Sequence, residues 1–283
     1  MQKVKLTVNG KSQELAADGL HGRLIRGEER PASLIVCVHG GGCNGRYFDL
    51  PSFSFAEAAL GAGHAVLMVD RPGHGMSPPI ETPTPVCSAS LLLAKLVERA
   101  AAACGDEDLP IALFGHSIGG AVAMHWAAQS PPMLKCLVTS GIGSHPTEAA
   151  LTWLSGLHGG GAVVLPHAFF FGPDGSFDWR APIALRKSGE PWRKDEVDEV
   201  LLRWPGQFRS VASRIGCPVL AILSEHERIW ENGEGALNAM RDSFAPGLGS
   251  VEIAAGGGHL YEVHRNWSVH AGRIIAFIEG HIE

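Results

Sequence analysis

Ser117 stands in the run Gly115-His116-Ser117-Ile118-Gly119-Gly120, between the apolar stretch Ile111-Ala112-Leu113-Phe114 and the longer stretch Ala121 to Ala128. The first stretch is too short for a helix and reads as a buried strand, and the second reads as a helix. A serine at such a turn, with a glycine two residues to either side, is held in a strained backbone conformation that lifts its hydroxyl out of the sheet. Side chains at the glycine positions would clash with the neighbouring strand and helix. The helix N-terminus beside the serine favours developing negative charge. The chemistry this suits is nucleophilic attack; a glycine-rich turn that only ends a strand is the plainer alternative.

A serine hydroxyl is a weak nucleophile at neutral pH and needs an adjacent base. His259 is the best-placed candidate, because it follows Gly256-Gly257-Gly258 just past the strand-like Val251 to Ala254, on a loop free to place an imidazole. His116 adjoins the serine but is expected to point elsewhere, as a pocket residue. His125 lies on the following helix, and His74 in a turn. His64, His264, His270 and His281 read as surface residues. An imidazole acting as base also needs a carboxylate that orients it and stabilises its charged form. Glu225 and Glu227 both follow the apolar run Val219 to Leu223.

These side chains are far apart in the chain, so regular elements must bring them together. Short apolar runs recur at Leu34 to Val38, Ala65 to Val69, Ile111 to Phe114, Leu134 to Thr139, Val219 to Leu223 and Val251 to Ala254. Helix-like segments fall between and after them, around Ser54 to Leu60, Ser88 to Ala103, Ile118 to Gln129, Asn232 to Ser243 and Asn266 to His281. This alternation predicts an α/β protein with a mostly parallel sheet covered on both faces. The polar–apolar alternation of Met1 to Gly10, and the first thirty residues generally, suggest an antiparallel edge. Residues 143–214 break the rhythm. No strand appears there, Gly159-Gly160-Gly161 and several prolines punctuate short helical pieces, and Trp153, Phe169, Phe170, Phe171, Trp179, Trp192, Trp204 and Phe208 crowd in. An inserted helical lid is the expectation, with Trp153 and Phe170 against a ligand; extra core-covering helices are the alternative.

Four signatures in order resemble the α/β-hydrolase superfamily over essentially the whole chain. His39-Gly40-Gly41-Gly42-Cys43 after a strand is similar to the oxyanion loop of lipases and esterases, and Asp70-Arg71-Pro72-Gly73-His74-Gly75-Met76-Ser77 resembles the family's D-x-x-G-x-G-x-S turn. The turn at Ser117 is the third, and a late acid followed by a histidine the fourth. The resemblance implies an eight-stranded, mostly parallel sheet, a core of residues 1–142 and 215–283, and a cap at 143–214. It aligns Glu227 with the acid, so Ser117, His259 and Glu227 would form a triad, with Glu225 as runner-up. Here Ser224 and Glu227 stand where the family usually has glycine and aspartate. The resemblance also implies an oxyanion hole from the amides of Gly41, Gly42 and Ile118, with Cys43 a small pocket residue.

The implied activity is cleavage of a carboxylic ester or lactone carrying a small to medium apolar group. Carbon–carbon bond hydrolysis of ring-cleavage products, and ligand binding without turnover as in receptor-like members, are the alternatives. With a net charge of −6 and no basic cluster, the chain of 283 residues is not expected to bind nucleic acid or an anionic membrane. No secretion signal or spanning stretch is expected. The six scattered cysteines read as free thiols in a reducing compartment, so a cytoplasmic location is expected. Fourteen histidines show no ligand spacing, so neither metal nor cofactor is expected. The sequence allows a homodimer.

Overall fold

A computed structural model describes residues 10–158 and 167–282. The expected edge over Met1 to Asn9 and the run Gly159-Gly160-Gly161 lie outside the described residues. In chain order the strands of the main sheet are β1 (Lys11–Ala17), β2 (Leu20–Arg26), β3 (Leu34–Val38), β4 (Ala65–Asp70), β5 (Ile111–His116), β6 (Leu134–Ser140), β7 (Val219–Ser224) and β8 (Gly249–Ala254). They form one eight-stranded sheet in the order β1-β2-β4-β3-β5-β6-β7-β8. Only β2 runs against its neighbours; β3 to β8 pair in parallel.

The central strands are short apolar runs because both faces of a parallel sheet are covered. In β3 and β5, Leu34, Val36, Val38, Ile111 and Leu113 face one apolar layer, while Ile35, Cys37, Ala112 and Phe114 face the other. The flanking helices are α1 (Phe55–Gly61), α2 (Pro85–Ala103), α3 (Ile118–Ala127), α9 (Glu234–Arg241) and α10 (Trp267–Glu279). α2 and α3 supply Leu93, Leu96, Val122 and Met124 to the first layer, and α1 and α10 supply Phe55, Ala59, Ile274 and Ile278 to the second.

Between β6 and β7 the described chain is helical: α4 (Glu148–His158), α5 (His167–Phe171), α6 (Ala181–Leu185), α7 (Lys194–Asp198) and α8 (Trp204–Ala212). A π-helical turn over Glu199–Arg203 joins the last two. Trp204 and Phe208 are buried in the sheet-covering layer, so part of this segment completes the core. The Trp204 indole donates to the Gly143 carbonyl at 2.9 Å, which ties the end of the segment to its beginning.

Two surface assignments fail. His64 is 1% exposed and pairs with the Ser33 hydroxyl, and His264 is fully buried under α5 and the loop after it. His264 lies in a polar stretch and His64 in the glycine turn that leads into β4, but each ring finds a hydrogen-bond partner inside, which makes burial tolerable.

The turn from β5 into α3 is set by close packing. Ser117 has φ 52° and ψ −123°, a conformation that costs a non-glycine residue roughly 1–3 kcal/mol. A methyl group at Gly119 would lie 2.1 Å from the Val38 carbonyl oxygen, and one at Gly115 would lie 2.5 Å from the Gly119 oxygen. These clashes are with backbone and cannot be relieved by a rotamer change. Gly119→Ala should therefore lower the urea midpoint by an amount equivalent to at least about 2 kcal/mol, whereas Gly272→Ala, on a helix with open space around it, should stabilise or leave the midpoint unchanged. Equal midpoints for the two variants would show that β3 and α3 do not meet as described.

Candidate active site

Three chain segments meet at the C-terminal ends of β5, β7 and β8. The His259 Nε2 lies 3.0 Å from the Ser117 Oγ, and its Nδ1 lies 3.0 and 3.1 Å from the two carboxylate oxygens of Glu227. The Glu227 side chain is fully buried and His259 is 2% exposed. One oxygen of Glu227 also accepts the Arg228 and Ile229 amides, at 3.0 and 2.9 Å. Burial pushes the Glu227 carboxyl up, but the His259 ring and these amides outweigh it and hold the group below the ordinary carboxylate range. The Nδ1 therefore donates to an ionised carboxylate, leaving Nε2 free to accept the serine proton.

Glu225 is elsewhere. It is exposed, and its carboxylate accepts the Gly256 amide at 2.7 Å. The serine that replaces the family's usual glycine braces the histidine loop, because the Ser224 hydroxyl donates to the Gly258 carbonyl at 2.6 Å. The Gly258 amide donates to His264 at 3.0 Å, and a methyl group at Gly258 would lie 2.4 Å from the Gly172 nitrogen. The loop before His259 is thus fixed on both sides.

The glycine loop lies across the elbow. A methyl group at Gly40 would lie 3.1 Å from the Ser117 Cβ, and one at Gly41 would lie 2.9 Å from the Ile118 side chain. The Trp192 indole covers the loop so closely that methyl groups at Gly41 and Gly42 would lie 2.5 and 2.8 Å from its ring. Among the described residues no acceptor takes the Gly41 or Gly42 amide. The Ile118 amide, at the first position of α3, has no helical acceptor. The Gly41, Gly42 and Ile118 amides thus have no acceptor among the described residues, and those of Gly41 and Gly42 border the cavity described next.

A cavity of about 350 Å³ opens on Ser117 and His259. Gly41, Gly42, Cys43 and His116 line its core side, and Phe170, Phe171, Pro182, Leu185, Arg186 and Trp192 line it from the segment between β6 and β7. Burial pushes the Cys43 thiol up to about 12, so it remains protonated and serves as a small wall residue. Trp153 is not in this cavity. It lines a small apolar recess on the other side of Ser117 with Ile118, Val200 and Trp230, and its ring meets Trp192 at 5.9 Å. Arg186, Leu185 and Pro182 were not legible as pocket residues, because no motif marks a residue of a short irregular helix.

A family model described as "Alpha/beta hydrolase family" matches residues 35–268. The pimeloyl-[acyl-carrier protein] methyl ester esterase of Chromobacterium violaceum is 33% identical over 103 residues, which is 36% of this chain and 34% of that protein. The match thus spans about a third of that relative's length. A carboxyl esterase from Bacillus coagulans, solved with glycerol, superposes with a TM-score of 0.69 at 15% identity, covering 97% of this chain and 99% of its own. A soluble variant of monoglyceride lipase from Saccharomyces cerevisiae, solved with a substrate analogue, gives a TM-score of 0.70 at 14% identity, covering 100% and 98%. At such identities the likeness is one of fold.

Behind the serine lies a second buried network, which sequence inspection missed. His116 Nδ1 lies 3.0 Å from the Glu262 carboxylate, which also accepts from the Ser140 hydroxyl and, at 2.8 Å, from the Tyr47 hydroxyl. The His116 ring stacks on Tyr47 at 4.9 Å and tilts against His259 at 5.2 Å. Burial pushes the Glu262 carboxyl up, but His116, Ser140 and Tyr47 outweigh it and bring it down to about 2. A carboxyl depressed on folding contributes stability that is complete above its unfolded value of about 4.3 and is lost as the pH falls toward about 2. Urea midpoints measured from pH 7 to pH 2.5 should fall more steeply for the wild type than for Glu262→Gln, whose midpoint at pH 7 should already be lower. Parallel curves would mean that Glu262 carries no such charge.

Proposed function

The chain belongs to the alpha/beta hydrolase family, and from that premise we propose that it is a serine hydrolase cleaving carboxylic esters, lactones included, of small to medium apolar acids or alcohols. The observation that carries this reading is the continuous chain from Ser117 Oγ through both nitrogens of His259 to the buried carboxylate of Glu227, each link 3.0 Å.

In this reading Ser117 Oγ attacks the substrate carbonyl carbon while His259 Nε2 takes the hydroxyl proton. The imidazolium is stabilised by Glu227, which orients the ring through Nδ1. The carbonyl oxygen becomes an oxyanion held by the Gly41, Gly42 and Ile118 amides. As the intermediate collapses, His259 protonates the leaving alcohol and an acyl-enzyme remains. Water then enters, gives a proton to His259 and attacks the acyl carbon. His259 returns that proton to Ser117 as the acid leaves.

Residues 143–214 act as the cap, with residues 1–142 and 215–283 as the core. Support comes from the wall the segment contributes: Phe170, Phe171, Leu185 and Trp192 shape an apolar cavity suited to an acyl or alkyl group. The same wall argues against carbon–carbon cleavage, because Arg186 is its single charged side chain from the segment among the described residues. No helix among the described residues is long and apolar enough to cross a membrane.

A fluorophosphonate probe should label Ser117, and p-nitrophenyl esters of short to medium acids should turn over. Ser117→Ala should abolish labelling and lower kcat by at least about 10⁴-fold, with product-acid binding retained. Glu227→Gln should lower kcat by at least about 10²-fold, and Glu225→Gln by less than about threefold. A folded, ligand-binding wild type that neither labels nor hydrolyses any ester or lactone would favour the receptor-like reading. A reversed order of the two glutamates would move the acid.

A further inference from the structure

Arg71 is a buried charge with no part in the chemistry of the triad. Its side chain is 1% exposed, and its partner Glu196, on α7, is 3% exposed. The Arg71 Nη1 donates to Glu196 at 2.5 Å, and His74 Nε2 lies 3.1 Å from the other carboxylate oxygen. The rest of the guanidinium is directed at the glycine loop. Nε donates to the His39 carbonyl at 2.9 Å and Nη2 to the Gly40 carbonyl at 3.0 Å. The Arg71 backbone amide donates to His39 Nε2 at 3.0 Å, which leaves the His39 proton on Nδ1, where it donates to the same Gly40 carbonyl at 2.8 Å. Burial and the neighbouring Arg71 push the His39 imidazole well below its ordinary range, in keeping with that neutral tautomer.

The consequence follows from the geometry of a peptide bond. In a planar trans unit the C=O and the following N–H point in opposite directions. Two donors drawing the Gly40 oxygen inward therefore turn the Gly41 N–H outward, away from the Arg71 side. Glycine has no side chain to hold its peptide plane, so this orientation depends on what grips the carbonyl. Arg71 grips it, and the carboxylate that keeps a guanidinium stable in a buried site comes from α7, outside the sheet. A second carboxylate on the next turn, Glu199, accepts the Val86 and Cys87 amides at 2.7 and 3.1 Å and seats the same stretch on the start of α2.

We propose that Arg71 and Glu196 are positioning residues forming a latch, through which docking of α7 sets the direction of the Gly41 amide and hence the quality of the oxyanion hole. The inference rests on the esterase reading of the site. It predicts that the latch acts on kcat and leaves substrate binding alone, because an oxyanion donor acts on charge that develops only in the transition state.

The decisive variant is Arg71→Lys, which keeps the charge facing Glu196 but has no planar fork with which to hold two carbonyls as well. Its kcat on a p-nitrophenyl ester should fall at least about tenfold while KM stays within about threefold. The double variant Arg71→Met/Glu196→Leu separates this role from stability. Removing both charges should return Tm above that of Glu196→Leu alone, which strands the guanidinium, yet kcat should remain low. Wild-type kcat in Arg71→Lys, or recovery of kcat together with Tm in the double variant, overturns the proposal and makes the pair structural only. A wild type that hydrolyses no ester and resists fluorophosphonate overturns the esterase reading and this inference with it, so the two failures are told apart by the unsubstituted enzyme.

Discussion

Everything at this site depends on Ser117 staying in a backbone conformation it would not choose. At φ 52° a serine is strained, and nothing local compensates, because its side chain caps no helix and points to His259 instead. The restraint is steric and comes from three sides. The Gly119 position abuts the Val38 and His39 carbonyls, Gly115 abuts the first turn of α3, and the Gly120 position meets Ile142. The Ser117 amide also donates to the Ser140 carbonyl at 2.7 Å, which extends the β5–β6 pairing into the turn. A sheet with covered faces and no room for a methyl group is thus the condition for a presented hydroxyl. The strain is offset by the packing energy of the core, which is why the elbow sits over central strands and not at an edge.

What the sequence made legible was whatever a short window contains. The glycines around Ser117 and the His39 loop, the strand runs, and the position of His259 after three glycines are all local patterns, and each of the six strands from β3 to β8 begins and ends within two residues of its expected bounds. The acid was harder. Glu225 and Glu227 both follow β7 and differ only in which way the turn sends them. In the structure Glu227 turns toward His259 and Glu225 toward the Gly256 amide, and the Ser224 bond to Gly258 and the Arg228 and Ile229 amides that accompany this are not visible without the fold. The buried histidines were misjudged for the same reason. His64 lies in a glycine turn and His264 in a polar stretch, and only the packing of distant segments covers them.

The expected acid and the two networks that sequence inspection missed share a physical character. Glu196 and Glu227 are buried carboxylates and Glu262 is largely enclosed; in each case burial opposes the charge, while an arginine or histidine and other donors outweigh it. The donor sets differ with the role. Glu227 meets one imidazole and two amides, so its ring partner is oriented but free to gain a proton. Glu262 meets an imidazole and two hydroxyls from separate elements, an arrangement that joins the loop at Tyr47, the ends of β5 and β6, and the loop of His259. Glu196 meets a guanidinium and an imidazole. Buried pairs of this kind contribute little net stability compared with apolar packing of similar volume, and what distinguishes them is that each of their hydrogen bonds has a direction.

That distinction explains why the charges cluster where they do. An apolar contact between the glycine loop and α7 could bury as much area, yet it would not choose among rotations of the peptide between Gly40 and Gly41. A guanidinium with a carboxylate on one edge and two carbonyls on the others does choose, because each of its hydrogen bonds has a direction. Trp192 adds the complementary, non-directional part by covering the outer face of Gly41 and Gly42. The loop is thus pressed by an indole from one side and held by directed bonds from the other. Both sets of groups reach it from turns and helices beyond the glycines themselves, so the precision of the amides comes from tertiary structure and not from the motif that announces them.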